Sequence, residues 1–210
     1  MDEMKIRLIA FDLDGVLVDG LGSWRELHRA LGTEERAMAN YKAFYSGEID
    51  FAEWARRDVE LWKGVSAERI NEILRRIPLM NGAEETLARL NGKYKTAIIS
   101  GGIQQLADIV KDKLGIDYAI GNRLIFRDDR VSGIKNYVDL HSKGEILRKI
   151  AEMNGISTTN CAVIGDYLND IPMFRVAGFR IAFNPKDEEI KRYADEIIYE
   201  KDLRRILRFF

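Results

Sequence analysis

Residues 8–20 read LIAFDLDGVLVDG: an apolar run passes straight into Asp12 and Asp14, two like charges one residue apart, with Gly15 behind them. An apolar run closed by turn residues reads as a strand buried on both faces, the kind found in parallel sheets. Neighbouring carboxylates at its end repel, and burial strengthens the repulsion, so the pair calls for a proton, a cation or open solvent. A turn or helix cap is the plain alternative. A calcium loop is excluded, because Val16 and Val18 stand where oxygen ligands are required.

Outward from this stretch, apolar runs recur, most followed by a segment of helical period: IRLIAF (6–11), KTAIIS (95–100), YAI (118–120), CAVIG (161–165) and FRIAF (179–183). The alternation predicts an α/β fold, a doubly wound parallel sheet with a Rossmann-like core. Residues 20–79 break it and predict a helical insert: SWRELHRAL with Ser23 and Glu26 as a capping box, a helix around EERAMANYKAFYSG, then DFAEWARRDVELWKG, then SAERINEILRRI behind Ser66. The expected division is an α/β core of residues 1–19 and 80–210 and a helical cap domain of residues 20–79. Its aromatics, among them Trp24, Trp54, Trp62, Phe44 and Tyr45, are expected to form the insert's own core. NRLIFRDDRVSGI (122–134) predicts a β-hairpin turning at Asp128 and Asp129.

With 46 % apolar and 32 % charged residues among 210 and a net charge of -1, the composition is that of a globular protein and asks for neither a nucleic-acid nor a membrane partner. Cys161, the one cysteine, reads as a small buried hydrophobe. The start MDEMKIRLIAF has no long apolar core behind a basic segment, and no run reaches membrane-spanning length, so a cytoplasmic location is expected.

In parallel α/β sheets the site lies beyond the carboxyl ends of the strands. In IISGGIQQ (98–105), Ser100 ends a strand and two glycines precede a helix from about Ile103, which aims a hydroxyl and backbone N–H groups at one point, as a phosphate requires; an ordinary turn is the alternative. In HSKGEIL (141–147), a capping box of Ser142 and Glu145 puts Lys143 in the first helical turn, where a cation opposes the macrodipole unless an anion compensates; a solvated surface lysine is the alternative. His141 and His28 stand at no metal-ligand spacing and read as structural or exposed. In VIGDYLNDIPMF (163–174), Asp166 ends a strand and Asn169 and Asp170 open a helix that tolerates Pro172 in its first turn. Jointly, Asp12, Asp14 and Asp166, backed by Asp170, suit Mg²⁺, while the hydroxyl-plus-amide nest and Lys143 suit phosphate oxygens.

With these segments in this order, the chain resembles the haloacid dehalogenase-like superfamily of phosphohydrolases. Its SGG (100–102), NRLIF, KGEIL, GDYLNDIPMF and KDLRRILRFF are closest in pattern to the phosphoserine phosphatase branch. The resemblance implies that Asp12 is a nucleophile forming an aspartyl-phosphate and that Asp14 protonates the leaving alkoxide, then activates water. It implies Mg²⁺ held by Asp12, the backbone carbonyl of Asp14 and Asp166, with Asp170 orienting from behind. Ser100, the Gly101 amide and Lys143 would bind the phosphoryl group, Asn169 would assist, and the helical insert would close over the site. The insert departs from the branch's pattern: Leu21 stands where a glutamate for a substrate amino group is expected, and Asp58 where an arginine for a carboxylate is expected, beside Arg56 and Arg57. The expected activity is therefore Mg²⁺-dependent hydrolysis of a small phosphomonoester other than phosphoserine. A phosphotransferase or phosphomutase with the same intermediate and phosphoserine phosphatase proper are the alternatives, ahead of a non-catalytic binding protein.

Overall fold

The apolar run before Asp12 becomes the central strand of a seven-stranded sheet. The computed structural model describes residues 5–210; residues 1–4, with which the reading of the N-terminus and the segment 1–19 begin, lie outside the described residues. In chain order the elements are β1 (Leu8–Phe11), α1 (Ser23–Ala30), α2 (Glu34–Tyr45), α3 (Phe51–Glu60), α4 (Ala67–Arg75), α5 (Ala83–Leu90), β2 (Lys95–Ile103) and α6 (Gln104–Leu114). There follow β3 (Tyr118–Arg127), β4 (Arg130–Lys135), α7 (Lys143–Met153), β5 (Cys161–Gly165), α8 (Ile171–Phe174), β6 (Phe179–Phe183), α9 (Glu188–Lys191) and β7 (Glu196–Ile198).

The strand order is β4-β3-β2-β1-β5-β6-β7, parallel except for the antiparallel β3–β4 pair. From β1 the chain runs outward through β2 to β4, then returns to β5 on the other side. That reversal opens a crevice at the carboxyl end of β1, where Asp12 stands. All of β1 is buried, and the two-residue period sends Leu8 and Ala10 into the apolar layer with α7 and α8, and Ile9 and Phe11 into the layer with α4, α5 and α6.

The structure differs from the sequence expectation in three local places. YAI and NRLIF form one strand, β3, because β2 runs on through Gly101 and Gly102 and pairs Ile103 with Asn122. Neither predicted capping box forms: α1 is preceded by Gly22 without a side-chain cap, and the Ser142 hydroxyl accepts from the Asp139 amide rather than from its own helix. Ser66 does cap α4, accepting from Arg69 N at 3.2 Å. The hairpin turns at Asp128 and Asp129, whose φ of 48° and 58° are the left-handed pair a two-residue hairpin demands.

α1 and α4 of the insert bury Leu27, Ile70, Ile73 and Leu74 in the apolar layer of the sheet, whereas α2 buries no residue. Backbone bonds from Gly64 N to Val131 O and from Val131 N to Val65 O tie the insert to β4. Beneath the sheet, a side chain at Gly144 would place its Cβ 2.3 Å from the Pro172 carbonyl oxygen, so α7 and α8 meet at backbone distance and Lys143 is held under β1. Among the described residues no helix is long and apolar enough to cross a membrane. Cys161 is buried.

Candidate active site

The parallel ladder between β1 and β5 extends one residue past the strand, with Asp12 N donating to Ile164 O at 2.9 Å, and this projects the Asp12 carboxylate from the sheet edge. Its Oδ1 accepts from Lys143 Nζ at 2.8 Å, and the same ammonium donates to Asp170 Oδ1 at 2.6 Å. Lys143 has no solvent exposure. Burial alone would lower its pKa, but the charges and hydrogen bonds of Asp12 and Asp170 outweigh that and hold it above the ordinary lysine value. The surface-lysine alternative is thereby excluded. Among the described residues the other oxygen of Asp12 accepts no hydrogen bond, and the residue lines the cavity above.

Asp14 meets a different environment. Ser23 N donates to its Oδ1 and Ser23 Oγ to its Oδ2, each at 2.9 Å, while Ser23 Oγ accepts from Ile103 N at 3.1 Å. Ser23 therefore links the first turn of α1 to the loop after β1 and to the end of β2. Burial, then the charge of Asp12, push the Asp14 pKa up to about 6, and the Ser23 bonds and Lys186 offset only part of this. Between the two acids and the next strand lies Gly15, at φ 97°, where a Cβ would sit 2.0 Å from Asp166 Oδ2. Only glycine lets the loop pass there.

Asp166 follows β5, and Asp170 sits at the end of the 3₁₀ turn Leu168–Asp170. Asp170 Oδ2 accepts from the amides of Asp166 and Tyr167, at 2.9 and 3.2 Å, so with Lys143 on Oδ1 both of its oxygens are occupied. Burial and the Asp12 charge push Asp170 up against the opposing pull of Lys143, and burial with the charges of Asp12 and Asp170 raises Asp166 as well. One oxygen from each of Asp12, Asp166 and Asp170 falls within 4.8 Å of the others. Asp166 Oδ2 is buried without a directed hydrogen bond, although Lys186 Nζ stands 2.6 Å away. Hard oxygen donors that repel one another, with Asp166 Oδ2 left without a directed hydrogen bond, fit a divalent cation such as Mg²⁺. The Asp14 carboxylate lies outside this cluster, turned to Ser23.

Across from the acids, Ser100 Oγ accepts from Gly102 N at 2.9 Å, which leaves its proton free to donate. The Gly101 carbonyl is held by Trp24 Nε1 and Asn122 Nδ2, each at 3.0 Å, and the Asn169 amide nitrogen lies 3.9 Å from where a Cβ on Gly101 would sit. A cavity of about 330 Å³ is lined by Asp12, Asp14, Ser100, Gly101, Asp166 and Asn169, with Lys143 and Asp170 buried beneath it. The structure thus brings all eight predicted residues to one place.

The cavity's far wall comes from the insert. Trp24, Tyr45 and Trp54 line it, so only part of the aromatic set is insert core; Trp62, fully buried against Trp24, is. Arg56 and Arg57 both bond Glu53 on the exposed face of α3 and do not line the cavity, so they do not take the place of the missing arginine. Sequence reading missed Ser23, Arg25 and Lys186, all of which line the cavity. Lys186 follows β6, and the rule that leads to the ends of β1, β2 and β5 leads to it as well.

A model of the haloacid dehalogenase-like hydrolases matches residues 6–178. The chain belongs to this family. It is 39 % identical over 210 residues to the phosphoserine phosphatase of Methanocaldococcus jannaschii, covering 99 % of each chain. It is 38 % identical over 200 residues to that of Archaeoglobus fulgidus, covering 94 % of this chain and 58 % of the relative. A solved structure described as a phospho-aspartyl intermediate analogue of phosphoserine phosphatase superposes with a TM-score of 0.85 at 39 % identity, covering 98 % of this chain and 99 % of that one. With these relatives the chain is a phosphatase of the haloacid dehalogenase-like family, a phosphoric monoester hydrolase.

Proposed function

We propose that this haloacid dehalogenase-like phosphatase hydrolyses a small phosphomonoester in two displacements at phosphorus. Asp12 is the nucleophile, Asp14 the acid and base, and the insert 20–79 a cap over the core of residues 1–19 and 80–210. The observation that carries this is the opposite treatment of two acids from one strand end. Asp12 is bonded to a buried ammonium, while Asp14 is raised to about 6, into the range of a group that donates and takes back a proton near neutral pH.

In the first displacement an Asp12 oxygen bonds to phosphorus as the ester P–O bond breaks, and the departing alkoxide takes the Asp14 proton. In the second, Asp14 takes a proton from water as the water oxygen attacks phosphorus, which releases inorganic phosphate and restores Asp12. The Ser100 hydroxyl, the Gly101 amide and the Asn169 side chain donate to the phosphoryl oxygens, and Lys143 holds Asp12 from below while adding positive charge where negative charge builds up. Asp12, Asp166 and the main-chain carbonyl of Asp14 would hold Mg²⁺, which supplies charge neutralisation for the acids and the phosphoryl group. Asp170, with both oxygens occupied, positions Lys143 and the turn after β5.

The names of the relatives support O-phosphoserine as the substrate, which sequence reading ranks behind another phosphomonoester. The two departures stand in the structure nonetheless: Leu21 is an exposed apolar side chain on the cavity wall, and Asp58 is a buried acid. Phosphate release with Mg²⁺ across a panel of phosphomonoesters including O-phosphoserine, run beside Asp12→Asn, tests both levels. Turnover by the parent and none by the variant is expected. Undiminished turnover by the variant overturns the covalent route, and the ranking by kcat/KM decides the substrate.

A further inference from the structure

Asp58 lies on α3, 4 % exposed, in the wall of the cavity that holds Asp12. A carboxylate withdrawn this far from water needs a counter-charge. Among the described residues no lysine or arginine pairs with it: its neighbours are the Asn40 amide, donating to Oδ1 at 2.8 Å, and His28 Nε2, 3.2 Å from Oδ2. Trp62 Nε1, which can only donate, stands 3.1 Å from His28 Nδ1, and Thr33 Oγ1 lies 2.8 Å from the same nitrogen; with Nδ1 accepting, the ring's proton lies on Nε2, toward Asp58. Asn40 and His28 therefore fix the carboxylate in place without cancelling its charge.

The wall around it is aromatic. Trp24, Tyr45, Phe51 and Trp54 line the same cavity, and the faces of such rings attract organic cations. The cavity's other acids are engaged elsewhere: Asp12, Asp14 and Asp166 face the reacting phosphate, and Asp139, solvent-exposed, accepts from the amides of His141 and Ser142. We infer that the substrate is the phosphate ester of an amino alcohol, whose ammonium group is seated against Asp58 inside the aromatic wall. Arg25, exposed in the same wall and without an ion pair among the described residues, is placed for a substrate that carries a carboxylate as well. The inference rests on the phosphatase reading of this cavity, and it reconciles an ammonium-bearing ester such as O-phosphoserine with a wall that lacks the expected acid at Leu21.

The test compares kcat/KM with Mg²⁺ for phosphoethanolamine and O-phosphoserine, which bear the ammonium, with ethyl phosphate, which bears neither charge, and phosphoglycolate, which bears only a carboxylate. The ammonium esters are expected to lead ethyl phosphate by about tenfold or more, with phosphoglycolate last, because a site built around a buried charge rejects a ligand that leaves it unpaired. Ethyl phosphate or phosphoglycolate matching phosphoethanolamine overturns the inference and leaves the phosphatase reading standing; release from none of the four overturns both. In Asp58→Asn, the KM for phosphoethanolamine is expected to rise and its lead over ethyl phosphate to collapse. An equal loss on every ester would mean that Asp58 only supports the fold, and would overturn the assignment. The comparison on the parent protein stands whether or not that variant folds.

Discussion

Replacing Lys143 with methionine removes a charge from the centre of the molecule while keeping most of the side-chain volume. The ammonium has no solvent exposure and bridges Asp12 at 2.8 Å and Asp170 at 2.6 Å. Without it, these carboxylates and Asp166 face one another with no buried cation between them. Removing one partner of a buried ion pair costs about 3–5 kcal/mol. For a chain of this size each kcal/mol moves Tm by about 2–4 °C, so the variant freed of Mg²⁺ is expected to melt about 6–20 °C below the parent near neutral pH. Protonation of the acids relieves the repulsion, so the gap is expected to narrow towards about pH 4. Thermal melts in EDTA at the two pH values measure this. A gap below about 2 °C at neutral pH, or one of constant size across pH, refutes the reasoning, since lost packing has no such pH dependence.

Ser23→Ala removes the hydroxyl that donates to Asp14 and supports Ile103 N; those bonds favour the Asp14 anion, so without them the descending limb of kcat/KM is expected to move to higher pH, and an unmoved limb argues against Asp14 as the acid. Burial, then Asp12, raise Asp14 to about 6, so the folded protein holds a proton the unfolded chain gives up; the associated stability is complete below the ordinary carboxylate range and is lost as pH rises through about 6. In EDTA the Tm of the parent relative to Asp14→Asn is therefore expected to fall across that window, and a relative Tm that rises instead reverses the sign of the account. Gly15→Ala drives a Cβ to 2.0 Å from Asp166 Oδ2 at a φ of 97°, and is expected to abolish the rise in Tm that Mg²⁺ gives the parent; a retained rise would show that the loop can yield.

The sheet and the reacting acids were legible because each rests on a local signal, an apolar run that ends in a polar tip. Asp12, Ser100 and Asp166 needed nothing more than the rule that parallel strands place their carboxyl ends together. Ser23 was obscured by a competing local pattern, since serine followed by glutamate three residues later describes a capping box; its real partner, Asp14, is brought to it by tertiary packing. The course of β2 past Ser100 was obscured likewise, because two glycines read as a turn until β3 pairs with Ile103. For Arg56 and Arg57 the information was present: Glu53 stands three and four residues earlier, the spacing of an exposed helical ion pair. Which aromatics of the insert face the cavity depends on how α1, α2 and α3 are placed over the core, and no local period carries that. The departures at Leu21 and Asp58 were visible, but the partners that hold Asp58 in the cavity wall, Asn40 and His28, reach it only through tertiary packing.

The central claim is that Asp12 carries the phosphoryl group between substrate and water. Acid quenching of the protein during turnover of its best phosphomonoester with Mg²⁺, followed by peptide mass spectrometry, tests it most directly. The account predicts one phosphoryl group on the peptide containing Asp12, at that residue, and none on the same peptide from Asp12→Asn, which also fails to turn over. Sustained turnover with no phosphoryl group trapped on Asp12, together with an active Asp12→Asn, would contradict it.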